Sequence, residues 1–172
     1  SDQSNGLFSL SFDVAGPITL AHPYAYYGSN QDSNSDDSRP EEMVVEACKS
    51  IANTTDFSKY DWDGDGEVEQ VFIVYAGHGE ADYDNPDLIW PHKWSLSASP
   101  HKKALKIGGE KINVYACASE LNHYGNIAGI GAFCHEFSHC LGLPDMYNTS
   151  NTKDNGIGYN GLVAAGGYLG GG

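Results

Sequence analysis

The sequence predicts an α+β domain, and three stretches carry that expectation. Apolar residues at helical spacing run through Met43, Val44, Ala47, Cys48 and Ile51, a strand-like run follows from Val68 to Tyr75, and a second helix is marked by Phe133-Cys-His-Glu-Phe-Ser-His-Cys140. A chain of 172 residues is long enough for one sizeable core, so residues 1–172 are expected to form a single domain.

Taken in order, Leu10, Phe12 and Val14 alternate with polar residues, and Gly16-Pro17 interrupts before Ile18 and Leu20. This predicts two short strands or one bent strand. Tyr24, Tyr26 and Tyr27 suit core or rim packing better than a substrate groove. Gly28 to Ser38, rich in Ser, Asn and Asp, predicts a long loop. Asp37-Ser38 then offers a capping residue, with Pro40, Glu41 and Glu42 in the first turn of the helix that follows.

The run Asp61-Trp-Asp63-Gly-Asp65-Gly-Glu67-Val-Glu69 places oxygens at alternate positions around a glycine turn. Calcium takes about six to eight oxygen ligands. The carboxylates of Asp61, Asp63, Asp65 and Glu69 and the backbone carbonyl of Glu67 can supply much of that set. An EF-hand would carry a glutamate where Phe72 stands, so the ion would instead staple a loop to a strand. The plainer alternative is an acidic turn, against which the mutual repulsion of three close aspartates weighs.

Gly77 to Pro100 shows no periodicity, and His92, between Trp90 and Trp94, is expected to be a packed structural residue. Leu105–Ile107 and Ile112–Tyr115 flank Gly108-Gly109 and predict a hairpin.

The chemistry is concentrated in a helix expected from Asn126 to Leu141, with Ile127, Ile130, Phe133, Phe137 and Leu141 turned to the core. His135 and His139, four apart, project from one face about one turn, or ~6 Å, from each other and can hold one zinc ion. Glu136 projects to the side, where its carboxylate can reach a metal-bound water without taking a ligand position. Gly142 ends the helix and Pro144 prevents its resumption. A catalytic zinc keeps three protein ligands and one open position. After His139 the chain has no histidine or glutamate, which leaves Asp145 and Asp154. Asp145, six residues on in a tight Gly-x-Pro turn, is better placed than Asp154 in a polar loop.

The formal net charge of −14, with Arg39 the sole arginine, argues against nucleic acid and anionic membranes as partners. Bound dications would offset part of that charge. No apolar run approaches the ~20 residues needed to span a bilayer. The opening Ser-Asp-Gln-Ser is neither a signal peptide nor preceded by an initiator methionine, which suggests trimming from a longer precursor. Cys134 and Cys140 cannot pair within a regular helix, so any disulfide involves Cys48 or Cys117; the alternative is four small buried hydrophobes.

The run His135-Glu-Phe-Ser-His-Cys-Leu-Gly-Leu-Pro-Asp-Met-Tyr147 resembles the active-site segment of the immune-inhibitor-A-like secreted bacterial metallopeptidases. It is also similar to that of the snapalysins, where an aspartate replaces the third histidine of the metzincins. Three further blocks agree: Lys59 to Gly77, Ile89-Trp-Pro-His-Lys-Trp94, and Tyr115-Ala-Cys-Ala-Ser-Glu120. The resemblance implies a zincin-like, metzincin-type fold: a twisted mixed sheet, the helix after Pro40 as backing helix, and the active-site helix beneath a cleft. An edge strand would pair with extended substrate, and the Gly108-Gly109 hairpin is a candidate for that edge.

By the same resemblance, the function is that of a zinc endopeptidase, secreted or on the bacterial surface, acting on protein or peptide substrates. Zinc would be held by His135, His139 and Asp145, with Glu136 as general base and Tyr147 or Tyr168 as oxyanion stabiliser. Val163 stands where metzincins place a methionine, and a C-terminal subdomain carried by the family is expected to be largely missing. Two other readings use the same residues. One is a catalytically silent zincin acting as a calcium-dependent surface-binding module, against which the intact Glu136 argues; the other is a zinc hydrolase of non-protein substrates.

Overall fold

The computed structural model describes residues 5, 7, 9–30, 36–150 and 156–168, with Tyr168 described by its backbone alone. In chain order these form a one-turn helix α1 (Tyr24–Tyr27), helix α2 (Pro40–Ser50), strands β1 (Glu67–Val68) and β2 (Val71–His78), and a one-turn helix α3 (Glu80–Tyr83). Strands β3 (His92–Ser95), β4 (Leu105–Ile107), β5 (Glu110–Ile112) and β6 (Val114–Leu121) follow, then helix α4 (Gly131–Cys140). Short 3-10 turns lie at Gly158–Asn160 and Ala165–Tyr168.

The strands make two three-stranded mixed sheets, where one had been expected. In the first, β5 pairs parallel with β1 and antiparallel with β4. In the second, β6 lies in the middle, parallel to β2 and antiparallel to β3. The Gly108-Gly109 hairpin is real, as β4–β5, but it belongs to the first sheet. The edge strand beside α4 is β3, which the sequence had left unassigned.

Alternation along the strands explains how the second sheet carries a helix on each face. Tyr115 and Cys117 of β6, with Ile73 and Tyr75 of β2, enter a core shared with Met43, Val44 and Cys48 of α2, which is thus the backing helix. On the other face β6 presents Ala116 and Ala118, both buried, and α4 packs there. Small side chains at those positions let α4 lie close to the sheet.

Helix α2 does not use the expected cap. Its N-cap is Arg39 and makes no side-chain cap bond, while Pro40 presets the first turn and Glu41 and Glu42 favour the positive end of the helix dipole. Asp37 is diverted, its carboxylate accepting the Trp90 N–H at 3.0 Å.

The alternating residues Leu10 to Leu20 form no strand, because none of the described strands pairs with them. Phe12 instead leans edge-on against Phe133 and Phe137 of α4, at 5.6 and 5.7 Å between centroids. Helix α4 starts later than expected. Asn122 N–H bonds Asn126 O and Ala128 N–H bonds Glu120 O, which holds this stretch against the end of β6 and leaves Ile127 and Ile130 exposed. Leu141 is exposed as well. All four cysteines are free thiols; Cys48 and Cys117 are buried, whereas Cys134 and Cys140 are only half-buried. His92 is packed as expected, its ring held between Trp90 O (2.6 Å) and the Tyr115 hydroxyl (3.1 Å), and burial lowers its pKa.

Candidate metal centre

The end of α4 builds the site. Gly142 takes φ +88°, a left-handed conformation that glycine adopts without steric cost. Its N–H bonds His139 O at 3.0 Å and the Leu143 N–H bonds Ser138 O at 3.1 Å, the paired bonds of a Schellman motif. This reversal, with Pro144 after it, returns Asp145 to the histidine face. Asp145 Oδ1 lies 3.4 Å from His135 Nε2 and 3.3 Å from His139 Nε2. The two Nε2 atoms are 3.1 Å apart.

The other ring nitrogens show what these three atoms are. His135 Nδ1 sits 2.9 Å from Leu162 O, and His139 Nδ1 sits 2.7 Å from Leu143 O. A carbonyl oxygen only accepts, so each Nδ1 carries a proton, and in that tautomer the lone pair of the ring is at Nε2. Asp145 Oδ1 is buried and has no hydrogen-bond partner. Three acceptors thus converge without a donor among them, an arrangement that a cation satisfies, and the N/N/O set suits a metal such as zinc. His135, His139 and Asp145 can therefore hold a metal. Asp154 falls outside the described residues.

Glu136 is 8% exposed, with Oε1 4.0 Å from His135 Nε2. Burial pushes its carboxyl up to about 7, the His139 ring opposes that shift, Asp145 adds to it, and a hydrogen bond from the Lys93 backbone N–H of β3 opposes it again. The edge strand β3 therefore lies beside the carboxylate as well as bordering the helix. Val163 is buried, and its carbonyl accepts the Met146 N–H at 2.8 Å, so this segment lies against the turn that carries Asp145. Tyr147 is partly exposed two residues beyond Asp145. The Tyr168 side chain lies outside the described residues.

The acidic loop forms a second constellation, in which Asp61, Asp63 and Asp65 bring carboxylate oxygens within 4.8 Å of one another. Asp61 Oδ1 accepts the Gly64 and Asp65 N–H groups and Oδ2 accepts that of Gly66. Asp63 accepts from Asp65, and Asp65 from Glu67. Glu69 Oε1 turns to the Trp62 and Asp63 N–H groups at 2.6 and 3.1 Å, and its Oε2 is buried without a partner. Glu67 lies in β1 with its N–H toward Asp65.

The class that this fold and centre define is a metallopeptidase catalytic domain. The chain belongs to the immune inhibitor A peptidase M6 family, whose catalytic-domain profile matches residues 1–172. It is 28% identical over 189 aligned positions to the pre-pro-metalloprotease PrtV of Vibrio cholerae, an alignment that covers 98% of this chain and 20% of that protein. It is 25% identical to immune inhibitor A of Bacillus thuringiensis subsp. alesti, with 88% of this chain and 25% of that protein covered. The chain thus spans about a fifth to a quarter of the length of these relatives.

Sequence reasoning missed the two carbonyls that orient the histidines and the approach of the β3 backbone at Lys93 to Glu136. Backbone groups leave no residue signature; only Gly142, which brings Leu143 into place, hinted at one of them.

Proposed function

We propose that this chain is the catalytic domain of a secreted bacterial zinc endopeptidase with a zincin-like, metzincin-type fold. The observation that carries the proposal is the convergence of His135 Nε2, His139 Nε2 and Asp145 Oδ1 beside a buried Glu136. A zinc ion bound there supplies Lewis acidity, which acidifies water and polarises a scissile carbonyl. The chain's own residues do the rest. Leu162 O and Leu143 O hold the imidazoles in the liganding tautomer, and the β3 backbone at Lys93 lies beside Glu136. Glu136 accepts a proton from the attacking water and delivers it to the leaving amine. The outer edge of β3 offers backbone groups to an extended peptide, which fits a protein substrate.

In the same reading, the acidic loop of Asp61, Asp63 and Asp65, with the Glu67 carbonyl and the Glu69 carboxylate, holds a structural calcium. Among the described residues no helix is long and apolar enough to cross a membrane.

The test is hydrolysis of an unstructured protein such as casein, with and without a zinc chelator, by the parent and by Glu136→Gln. The parent should lose activity to the chelator. The variant should keep its zinc stoichiometry while turnover falls by about two orders of magnitude or more. Activity retained in Glu136→Gln would sink the mechanism.

A further inference from the structure

We propose a further cation site, formed by Asn30, Asp37 and Glu80, which takes calcium and pins the entry to β3. It is separate from the acidic loop and does not depend on the peptidase reading.

Asn30 Oδ1, Asp37 Oδ1 and Glu80 Oε2 are each buried without a hydrogen-bond partner. Among the described residues the other such atoms are Asp145 Oδ1 at the metal centre, Glu69 Oε2 at the acidic loop and Gln70 Nε2 beside it. The orientation of the three groups is fixed by their other polar atoms. Asn30 Nδ2 donates to Glu80 Oε1 at 2.9 Å, so reversing the amide would set oxygen against oxygen. Asp37 Oδ2 accepts the Trp90 N–H at 3.0 Å. Each residue therefore spends one polar atom on the protein and leaves one buried oxygen over.

Charge leads to the same ligand. Asp37 and Glu80 are close enough that Glu80 helps to raise the Asp37 pKa, after burial as the larger cause and against the Trp90 bond; Asp36 adds to the rise. No lysine or arginine forms an ion pair with either carboxylate among the described residues. With a cation opposing that rise and both carboxylates ionised, the two carboxylates and the amide oxygen make an all-oxygen set with charge −2. That set fits a hard dication, with water filling the remaining positions of a calcium ion.

The backbone around the site is drawn tight. Asn30 N–H bonds Pro86 O and Glu80 N–H bonds Ile89 O, both at 3.0 Å, and Ser29 Oγ donates to Asp87 Oδ1 at 2.7 Å. A Cβ at Gly28 would stand 2.6 Å from Asp87 O, so only glycine permits this approach. An ion held here ties Asn30, Asp37 and α3 to the stretch Pro86–Trp90. That stretch leads into β3, whose Lys93 N–H reaches Glu136.

The test is calcium equilibrium dialysis and thermal unfolding of the whole chain, with zinc present throughout. The variants are Asp63→Ala, to disable the acidic loop, and Asp37→Asn/Glu80→Gln built on it. Asp63→Ala should still bind one calcium per chain and still melt higher when calcium is added; the triple variant should do neither. In calcium-free buffer the triple variant should melt at or above Asp63→Ala, because neutral groups of the same shape no longer repel, and this also establishes that it folds. Asn30→Ala on the Asp63→Ala background, with both carboxylates intact, should weaken calcium binding about tenfold or more. No calcium bound by Asp63→Ala, calcium retained by the triple variant, or unchanged affinity in Asn30→Ala would each overturn the site. So would a triple variant that melts below Asp63→Ala in calcium-free buffer, since the carboxylates would then be held by the protein alone.

Discussion

The centre at the end of α4 and the loop at Asp61–Glu69 both gather metal-ligating side chains, but they hold them in opposite ways. In the loop, backbone N–H groups already satisfy one or both oxygens of each aspartate, and the loop closes on itself. At α4 the outer atoms of the ligands are bonded while the inner ones are bare: both Nδ1 atoms meet carbonyls, and Nε2, Nε2 and Asp145 Oδ1 face one another. The aspartates of the loop are already held by backbone N–H groups, with only Glu69 Oε2 left over, whereas the α4 centre leaves all three of its inward atoms without a donor. A short acidic motif can thus carry its own geometry, while a centre with one open coordination position needs support from distant backbone.

The largest test of this contrast is Asp145→Ala. It removes the single anionic ligand and should abolish or severely weaken zinc binding, with activity lost in parallel, whereas Asp154→Ala should bind zinc normally. Elemental analysis showing full zinc in Asp145→Ala and loss in Asp154→Ala would reverse the assignment. At the loop the effect should be smaller and thermal. Added calcium should raise the melting temperature of the parent, and Asp63→Ala should remove the part of the rise due to the loop. A parent indifferent to calcium would retire the loop as a calcium site. The smallest effect is expected at Gly142→Ala, where a Cβ at φ +88° should cost about 1–2 kcal/mol, or several degrees of melting temperature. A variant as stable as the parent would show that the turn carrying Asp145 tolerates another conformation.

Much of this was legible because periodicity and spacing are local. The spacing of His135, Glu136 and His139 on a helix, the strand after the acidic loop and the Gly108-Gly109 hairpin all follow from neighbours in sequence. Strand β3 was not legible, since His92-Lys-Trp-Ser95 is short and has no apolar alternation; its pairing with β6 makes it a strand. The alternation of Leu10, Phe12 and Val14 misled for the complementary reason, as a strand pattern needs a partner to become a strand. Asp37 looked like a cap because it precedes a helix, yet it serves Trp90, which stands 53 residues away. Asn30, Asp37 and Glu80 gave no signal at all, being common polar residues that only the fold brings together.

The bond between His135 Nδ1 and Leu162 O joins residues 27 positions apart and has a consequence in time. A nascent chain presents His135, Glu136 and His139 before Leu162 has been made, and until then the His135 ring is free to turn and to exchange tautomers. The same holds for a chain clipped between Asp145 and Leu162. Such chains carry the whole catalytic motif without the brace that sets its first ligand. On the proposed mechanism, hydrolysis begins only when the last supporting segment has closed over the helix, so a half-made or damaged molecule is less able to attack its neighbours.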